Sequence, residues 1–143
     1  MNIEDLDKQN NARKMVGHVA ATMDLLIAPH PFKSHFLYGN STSEHRYINA
    51  SSENSDYILF IIPASWGKGH HDLKNHPGVI RFEPSKGFPN DSPWSAQRGE
   101  IFITDISNNN FSGEFYCYES PNDSVNKPAL LGGSFKIDFT SGK

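Results

Sequence analysis

The amino-acid sequence predicts a mainly β protein, an antiparallel sandwich or an open barrel with one N-terminal helix. Residues 99–139 alternate between apolar and polar side chains over three successive runs, as strands with one buried face do. Residues 57–62 (YILFII) are apolar on both faces, which is typical of a central strand covered on both sides. Turn-forming clusters of Asn, Ser, Gly and Pro separate such segments. All 143 residues are expected to form a single β-rich domain.

The N-terminal part is predicted to contain the helix. Residues 1–10 are polar, and we expect them to be frayed. From Ala12 onward, apolar residues recur at three- and four-residue spacing, which favours a helix that ends at Pro29. Gly17 and the β-branched valines leave an alternative open, in which residues 16–20 begin a first strand. The apolar positions are Val16, Val19, Met23 and Leu26.

Four strands are predicted in the middle of the chain. Two longer loops, residues 64–77 and 84–98, follow the third and the fourth of these strands. Together with the three runs near the C-terminus they make a total of about seven strands. The pattern leaves open whether these strands form a filled sandwich or a barrel that encloses a ligand. The four strands are residues 32–38, 44–50, 57–62 and 79–83.

The last third of the chain is predicted to be a β-meander. Gly113 and Gly133 both fall on the inward face, two residues before a phenylalanine. A glycine at such a position indicates a bend, a bulge or a large side chain lying on the backbone. Cys117 also falls on an inward face, between aromatic residues. The inward positions of the final run are Leu131, Gly133, Phe135, Ile137 and Phe139.

Three short segments carry a resemblance to a known group of domains. They are Gly69-His70-His71-Asp72-Leu73, Ser112-Gly113-Glu114-Phe115 and Gly132-Gly133-Ser134-Phe135-Lys136-Ile137. The pattern resembles the C-terminal half of lipocalin-like small β-rich domains of unknown function, which are frequent in bacterial surface lipoproteins. This resemblance implies a fold and assigns no catalytic residue.

Composition and charge argue against several classes of function. The net charge is −3 and the 13 Lys and Arg residues are scattered, whereas nucleic-acid-binding proteins usually carry a basic stripe. No run approaches the roughly 20 apolar residues of a membrane helix, and the acidic, polar N-terminus does not resemble a secretory signal. A single cysteine excludes an intramolecular disulfide. We therefore expect a soluble, cytoplasmic, bacterial protein that binds neither nucleic acid nor membrane.

The densest group of metal-ligating residue types lies at residues 70–76. His70, His71, Asp72 and His76 supply imidazole and carboxylate donors, and zinc or nickel sites need three or four such groups to converge. Adjacent histidines on a strand point to opposite faces, whereas in a loop both can bind one metal. The spacing matches no named zinc motif. A divalent metal at His70, His71 and His76 is one hypothesis, and surface histidines in a turn are the alternative.

Catalytic signatures are weak throughout the chain. Ser65 lacks the preceding glycine of a nucleophile elbow. Cys117 is predicted to be a small core residue, whereas a reactive thiolate needs a partly exposed, electropositive setting. Glu100, Glu114 and Asp138 lie on neighbouring predicted strands, where outward charged side chains are ordinary. The sequence therefore favours a protein that is not an enzyme and predicts no catalytic residue.

Aromatic residues in the two long loops are the strongest pointers to binding. Trp66, Phe88 and Trp94 lie among Gly and Pro, outside the strand patterns. Such residues are enriched at interfaces and in ligand mouths, but they also close the ends of barrels and sandwiches. If a site exists, we expect it on the surface formed by loops 64–77 and 84–98. The predicted binding residues are Trp66, His70, His71, Phe88 and Trp94.

The leading hypothesis is a small non-enzymatic module that binds a protein partner or a small ligand through these two loops. One alternative is a metal-binding protein or metal-dependent enzyme that uses the histidines at 70–76. A second alternative is a barrel that carries a small apolar ligand between residues 57–62 and 111–117. The sequence assigns no oligomeric state.

Overall fold

The structure of the chain is a computed structural model, which describes residues 3–24, 29–85, 93–107, 110–119 and 128–139. Within these residues there are one helix and eleven strands. They are α1 (Ile3–Gln9), β1 (Arg13–Lys14), β2 (Val16–Asp24), β3 (Pro29–Ser41), β4 (His45–Ser52), β5 (Tyr57–Pro63), β6 (Gly69–Asp72), β7 (Ile80–Glu83), β8 (Trp94–Ser95), β9 (Arg98–Ser107), β10 (Asn110–Tyr118) and β11 (Ala129–Asp138). The helix is not long or apolar enough to cross a membrane, and the described residues contain no other.

The strands form one antiparallel sheet that curls into a half-barrel. Neighbouring strands follow the order β6-β9-β10-β11-β2-β3-β4-β5-β7-β8, and β1 pairs with β3. β3 joins the two halves of the sheet, one of which runs from β6 to β2 and the other from β4 to β8 in this order. Residues 29–33 of β3 pair with β2, whereas residues 34–41 pair with β4. The register shifts between Ser34 and Phe36, and such irregularities bend a strand. The predicted mainly β, antiparallel fold is confirmed, in the form of an open barrel.

Aromatic rings from the two halves of the sheet meet inside the half-barrel. The Phe60 ring of β5 lies 5.1 Å from the Phe115 ring of β10 and 5.7 Å from the Phe135 ring of β11. All three residues are at most 3% exposed. Buried phenylalanines at such distances contribute both apolar burial and specific ring contacts. The core therefore holds the curled sheet together across its concave face.

The helix predicted from Ala12 is wrong, because residues 16–24 form the strand β2. Val19, Ala21 and Met23 are buried at every second position, whereas Val16 is 63% exposed. Val19 and Met23 satisfy both a helical and a strand period, whereas Val16 fits only the helical one. Pairing with β3 and β11 decides between the two. The structure's helix lies at Ile3–Gln9 instead, and Pro29 begins β3. Leu26 lies outside the described residues.

The predicted meander is confirmed, with one correction near its end. β9, β10 and β11 pair in sequence order, and Ile137 and Phe139 are buried as expected. The structure buries Leu130 completely, whereas Leu131, which was predicted to point inward, is only half-buried. The chain bulges at Gly132, which has a φ of 56°, and this extra residue shifts the alternation by one position.

Phenylalanine rings pack directly on the two inward glycines of the meander. In the register of β10 and β11, Gly113 pairs with Phe135 and Phe115 pairs with Gly133. A Cβ atom at Gly133 would lie 2.5 Å from the Phe115 ring, and one at Gly113 would lie 2.6 Å from the Phe135 ring. The sequence prediction of a large side chain lying on the backbone is therefore confirmed at both glycines.

Helix α1 is fixed to the convex face of β4 by hydrogen bonds to Asp7. The Tyr47 hydroxyl donates to Asp7 Oδ1 at 2.6 Å, and Asn49 Nδ2 donates to both carboxylate oxygens at 3.0 and 3.1 Å. Tyr47 and Asn49 alternate with Ile48 and Ala50, which face the core. The helix therefore explains how Tyr47 is fully buried on the outer side of the sheet.

Candidate functional site

A cleft of about 370 Å³ lies on the convex face of the sheet, across β6, β9, β10 and β11. Antiparallel pairing builds it from two rows of side chains, because residues opposite each other share a face. His70, Phe102, Glu114 and Ser134 form one row, and Glu100 and Tyr116 belong to the next. The lining consists of His70, Glu100, Phe102, Glu114, Phe115, Tyr116, Gly132, Gly133 and Ser134.

The bulge in β11 opens the cleft beside Tyr116. The β10–β11 register shifts between Phe115 and Cys117, so no residue of β11 stands directly opposite Tyr116. Gly132 occupies the bulge without a side chain, and nothing lies within 4 Å of the position of a Cβ atom there. As a result Tyr116 is 42% exposed, and its ring forms one wall of the cleft.

His70 forms the opposite wall. Its ring stacks on Phe102 with centroids 4.2 Å apart and an angle of 3° between the planes. The Nδ1 atom of His70 makes a close polar contact with Glu100 Oε1. Stacking on one side and a carboxylate at the ring edge hold the imidazole in one orientation.

The charge of the cleft is carried by two glutamates. No lysine or arginine is among its lining residues. Glu100 contacts His70, whereas Glu114 is exposed and has no ion pair within the part of the chain that the structure describes. The direct neighbours of Glu114 across the sheet are Phe102 and Ser134, neither of which carries a charge. The cleft therefore presents an uncompensated carboxylate next to an exposed aromatic ring.

The predicted binding residues of loop 64–77 divide between two faces of the sheet. Within this loop residues 69–72 form the strand β6, so His70 and His71 point to opposite sides. His71 stacks on Trp66 at 4.5 Å, and the ring of His76 meets Trp66 edge-on at 5.1 Å. Trp66 is half-buried against the core, and only His70 reaches the cleft.

An arginine holds Trp66 in place. Arg46 Nη1 donates to the carbonyl oxygens of Ala64 and Trp66 at 3.4 and 3.3 Å. Its guanidinium lies 4.8 Å from the centroid of the Phe111 ring. Burial lowers the pKa of Arg46, but an arginine stays protonated throughout the physiological range. Packing on the core and hydrogen bonds from Arg46 therefore fasten the beginning of the loop to the sheet.

Trp94 lies away from Trp66. It belongs to β8 and packs on Phe82 at 5.7 Å, beside a smaller depression of about 150 Å³. The first loop leaves β5 after Pro63, whereas the second follows Glu83, which pairs with the opposite end of β5 at Tyr57. Residue Leu73 of the first loop contacts β9, which follows the second loop, where the Leu73 N–H donates to the Gly99 carbonyl at 3.0 Å. The starts of the two loops thus lie on different parts of the molecule, and Phe88 lies outside the described residues.

The histidines proposed as metal ligands do not converge. His70 contacts Glu100 on the convex face, whereas His71 and His76 contact Trp66. Among the residues that the structure describes, no group of three His, Cys, Asp or Glu side chains could hold a metal ion. The pairing of β6 with β9 separates His70 from His71, which the sequence alone could not establish.

Cys117 is expected to be unreactive in the folded protein. It is fully buried, and burial raises the pKa of its thiol because the low-polarity surroundings disfavour the thiolate, although a backbone hydrogen bond from Leu130 acts in the opposite direction. At pH 8 a thiol-reactive disulfide reagent should therefore label the native protein very slowly and the denatured protein rapidly. Rapid labelling of the native protein would contradict the core assignment.

Most of the residues that line the cleft carry no signal in the sequence that marks them as a site. Phe102, Glu114, Tyr116 and Ser134 are outward-facing strand residues, which carry no motif. The one signal in the sequence was that two aromatic residues, Tyr116 and Tyr118, fall at outward positions of a predicted strand, where polar residues are usual. Their assembly with His70 and Glu100 depends on strand pairing across 30 residues of sequence.

The fold and the cleft together define a small antiparallel β protein with a candidate binding site on its convex face. Comparisons of the chain with protein-family models, with curated proteins and with solved structures find no match.

Proposed function

We propose that this protein is a non-enzymatic binding module and that the cleft lined by His70, Glu114 and Tyr116 is its recognition site. The observation that carries the proposal is an exposed tyrosine ring in a concave site that also holds charged groups. Recognition sites typically combine aromatic contact area with a few placed polar groups. Glu114 and Tyr116 stand on β10, which is paired along both edges, with β9 and β11.

The chemistry of the cleft favours binding over catalysis. A nucleophilic serine needs a base within hydrogen-bonding reach. In the described part of the chain Ser134 has no hydrogen bond to His70 or to a carboxylate, and His70 instead contacts Glu100. Glu114 is exposed to water, whereas a carboxyl that acts as a general acid is usually desolvated.

The other hypotheses from the sequence have less support. Residues 57–62 and 111–117, which would line an internal ligand cavity, meet through the rings of Phe60 and Phe115. The separation of His70 from His71 and His76 weakens the proposed metal site. The lipocalin-like resemblance, the bacterial origin and the cytoplasmic location stay predictions from the sequence, and so does the choice of a protein partner over a small ligand.

The test is affinity capture from the native lysate with matched tyrosine variants. Tyr116→Ala is expected to abolish capture of a stoichiometric partner, because it removes the exposed wall of the cleft. Tyr38→Ala is the control, since Tyr38 is 39% exposed on β3, outside the cleft. Bound proteins are identified by mass spectrometry, and both variants are checked for an unchanged melting temperature. Equal capture by Tyr116→Ala and the unaltered protein would contradict the proposed site.

A further inference from the structure

We infer that the cleft receives a guanidinium group, that of an arginine side chain presented by a partner. This inference rests on the proposed function and names the chemistry that the site recognises. Three features of the described residues support it: the sign of the charge in the cleft, the exposed tyrosine ring, and an arginine of this chain that already makes the same kind of contact on a neighbouring position.

The charge of the cleft favours a cation. Glu100 and Glu114 both line it, and no lysine or arginine does. His70 lies at the edge of Glu100, so Glu114 is the carboxylate left without a partner in the described part of the protein. A carboxylate accepts two parallel hydrogen bonds from a guanidinium. An anionic ligand would meet two carboxylates and is disfavoured.

The aromatic wall favours a planar cation. Glu114 and Tyr116 lie on the same face of β10, two residues apart, which separates them by about 7 Å along the strand. Glu100 stands directly opposite Tyr116 on β9. A guanidinium stacked on the Tyr116 ring would therefore have a carboxylate on two sides. Arginine combines such stacking with forked hydrogen bonding, whereas a lysine ammonium is a compact point charge.

The same surface already holds one arginine–tyrosine stack. Arg98 lies over the ring of Tyr118, with its guanidinium carbon 4.0 Å from the ring centroid. Arg98 and Tyr118 are cross-strand partners, as Glu100 and Tyr116 are in the adjacent row. In the row of Tyr116 a glutamate takes the place of the arginine, so the neighbour of the exposed ring is anionic. An arginine from a partner would complete the second row in the way that Arg98 completes the first.

The test uses three small probes of nearly equal size and nuclear magnetic resonance titration of the isotope-labelled full chain. Nα-acetyl-arginine amide carries the guanidinium, Nα-acetyl-citrulline amide replaces it with a neutral urea, and Nα-acetyl-lysine amide carries an ammonium. We expect the arginine probe to shift the amide signals of residues 100–102 and 114–116 and to bind more tightly than the lysine probe. The citrulline probe should leave these signals unchanged. Binding should weaken as the salt concentration rises.

Single variants separate the two contacts. Glu114→Gln and Tyr116→Leu should each weaken binding of the arginine probe by about two- to fivefold, as is typical of an exposed ion pair or an exposed cation–π contact. Tyr38→Leu, on β3 and outside the cleft, should leave the affinity unchanged. Preserved spectra of the free variants show that each is folded.

Several outcomes would overturn the inference. Equal binding of the arginine and citrulline probes would show that the cleft does not recognise charge. Equal binding of the arginine and lysine probes would show that it does not recognise the planar shape of a guanidinium. Shifts confined to residues outside the cleft would also overturn it. If Tyr116→Ala abolishes partner capture while the arginine probe does not bind, the proposed function stands and the guanidinium inference fails. If Tyr116→Ala leaves capture unchanged, the proposed function itself fails.

Discussion

Gly113→Ala is expected to destabilise the protein by about 3 kcal/mol, at the upper end of the usual cost of overpacking a core. The added methyl group would lie 2.4 Å from the carbonyl oxygen of Phe102 and 2.6 Å from the Phe135 ring. The first of these is backbone of the adjacent strand β9, which is held in place by its own pairing. The second is a ring at the centre of the core, 2% exposed. Both contacts are closer than Cβ atoms tolerate, so the backbone of β9 or the Phe135 ring would have to shift.

Chemical denaturation of the unaltered protein and the variant measures this effect. Gly67→Ala is the matched control, because nothing lies within 4 Å of the position that its Cβ would take. That change should alter the free energy of unfolding by less than about 0.5 kcal/mol. If Gly113→Ala were as stable as Gly67→Ala, the tight pairing of Gly113 with Phe135 would be wrong.

A related pair of substitutions tests the reciprocal contact. In Gly133→Ala the three atoms nearest the added methyl group would all belong to the ring of Phe115. Replacing that ring with a smaller side chain, in the double variant Gly133→Ala/Phe115→Leu, should relieve the collision. The coupling free energy from the double-mutant cycle should therefore be favourable, and an additive result would argue against the contact.

Asp7→Ala is expected to lower the free energy of unfolding by about 3 kcal/mol. The substitution removes a charged hydrogen-bond acceptor and leaves two buried donors unsatisfied. The Tyr47 hydroxyl and Asn49 Nδ2 both donate to the Asp7 carboxylate. Tyr47 and Asn49 are 0% and 3% exposed, so water cannot replace the lost acceptor while the helix stays docked. A seven-residue helix is too short to be stable by itself, and we expect α1 to detach.

Thermal and chemical denaturation report the loss of stability, and proteolysis near residue 10 reports detachment of the helix. Glu53→Ala serves as the control, since Glu53 is an exposed acidic residue in the turn between β4 and β5. Tyr47→Phe removes one donor together with its need for an acceptor, so it should cost less than Asp7→Ala. A stability for Asp7→Ala equal to that of Glu53→Ala would show that Asp7 does not fasten the helix.

Local sequence patterns were sufficient for most strands. The predicted strands at 57–62 and 79–83 agree with β5 and β7 to within one residue at each end, because strand-forming runs and the turn residues that bound them are properties of a short segment. The pattern failed at residues 16–24, where Val19 and Met23 fit both a helical and a strand period, whereas Val16 fits only the helical one. Hydrogen-bonding partners from β3 and β11 decided the outcome, and no local pattern encodes them.

The candidate site was predicted only in part, for the same reason. His70 was selected from the sequence, whereas Glu114 and Tyr116 appeared as ordinary outward-facing strand residues. Adjacent histidines were expected to separate if they lay on a strand, and the pairing of β6 with β9 makes residues 69–72 a strand. A register in which His70 faces Phe102 and Phe102 faces Glu114 then brings the residues of the cleft together.

The sequence by itself therefore determined the class of the fold, the meander and the two inward glycines, since each depends on neighbouring residues and on the two-residue period of a strand. Only the tertiary structure decided the position of the helix, the division of the histidines and the existence of the cleft. These features depend on contacts between distant segments, such as Asp7 with Tyr47 across 40 residues. Which of several possible pairings forms is decided by the packing of the whole core, which no single segment of the sequence contains.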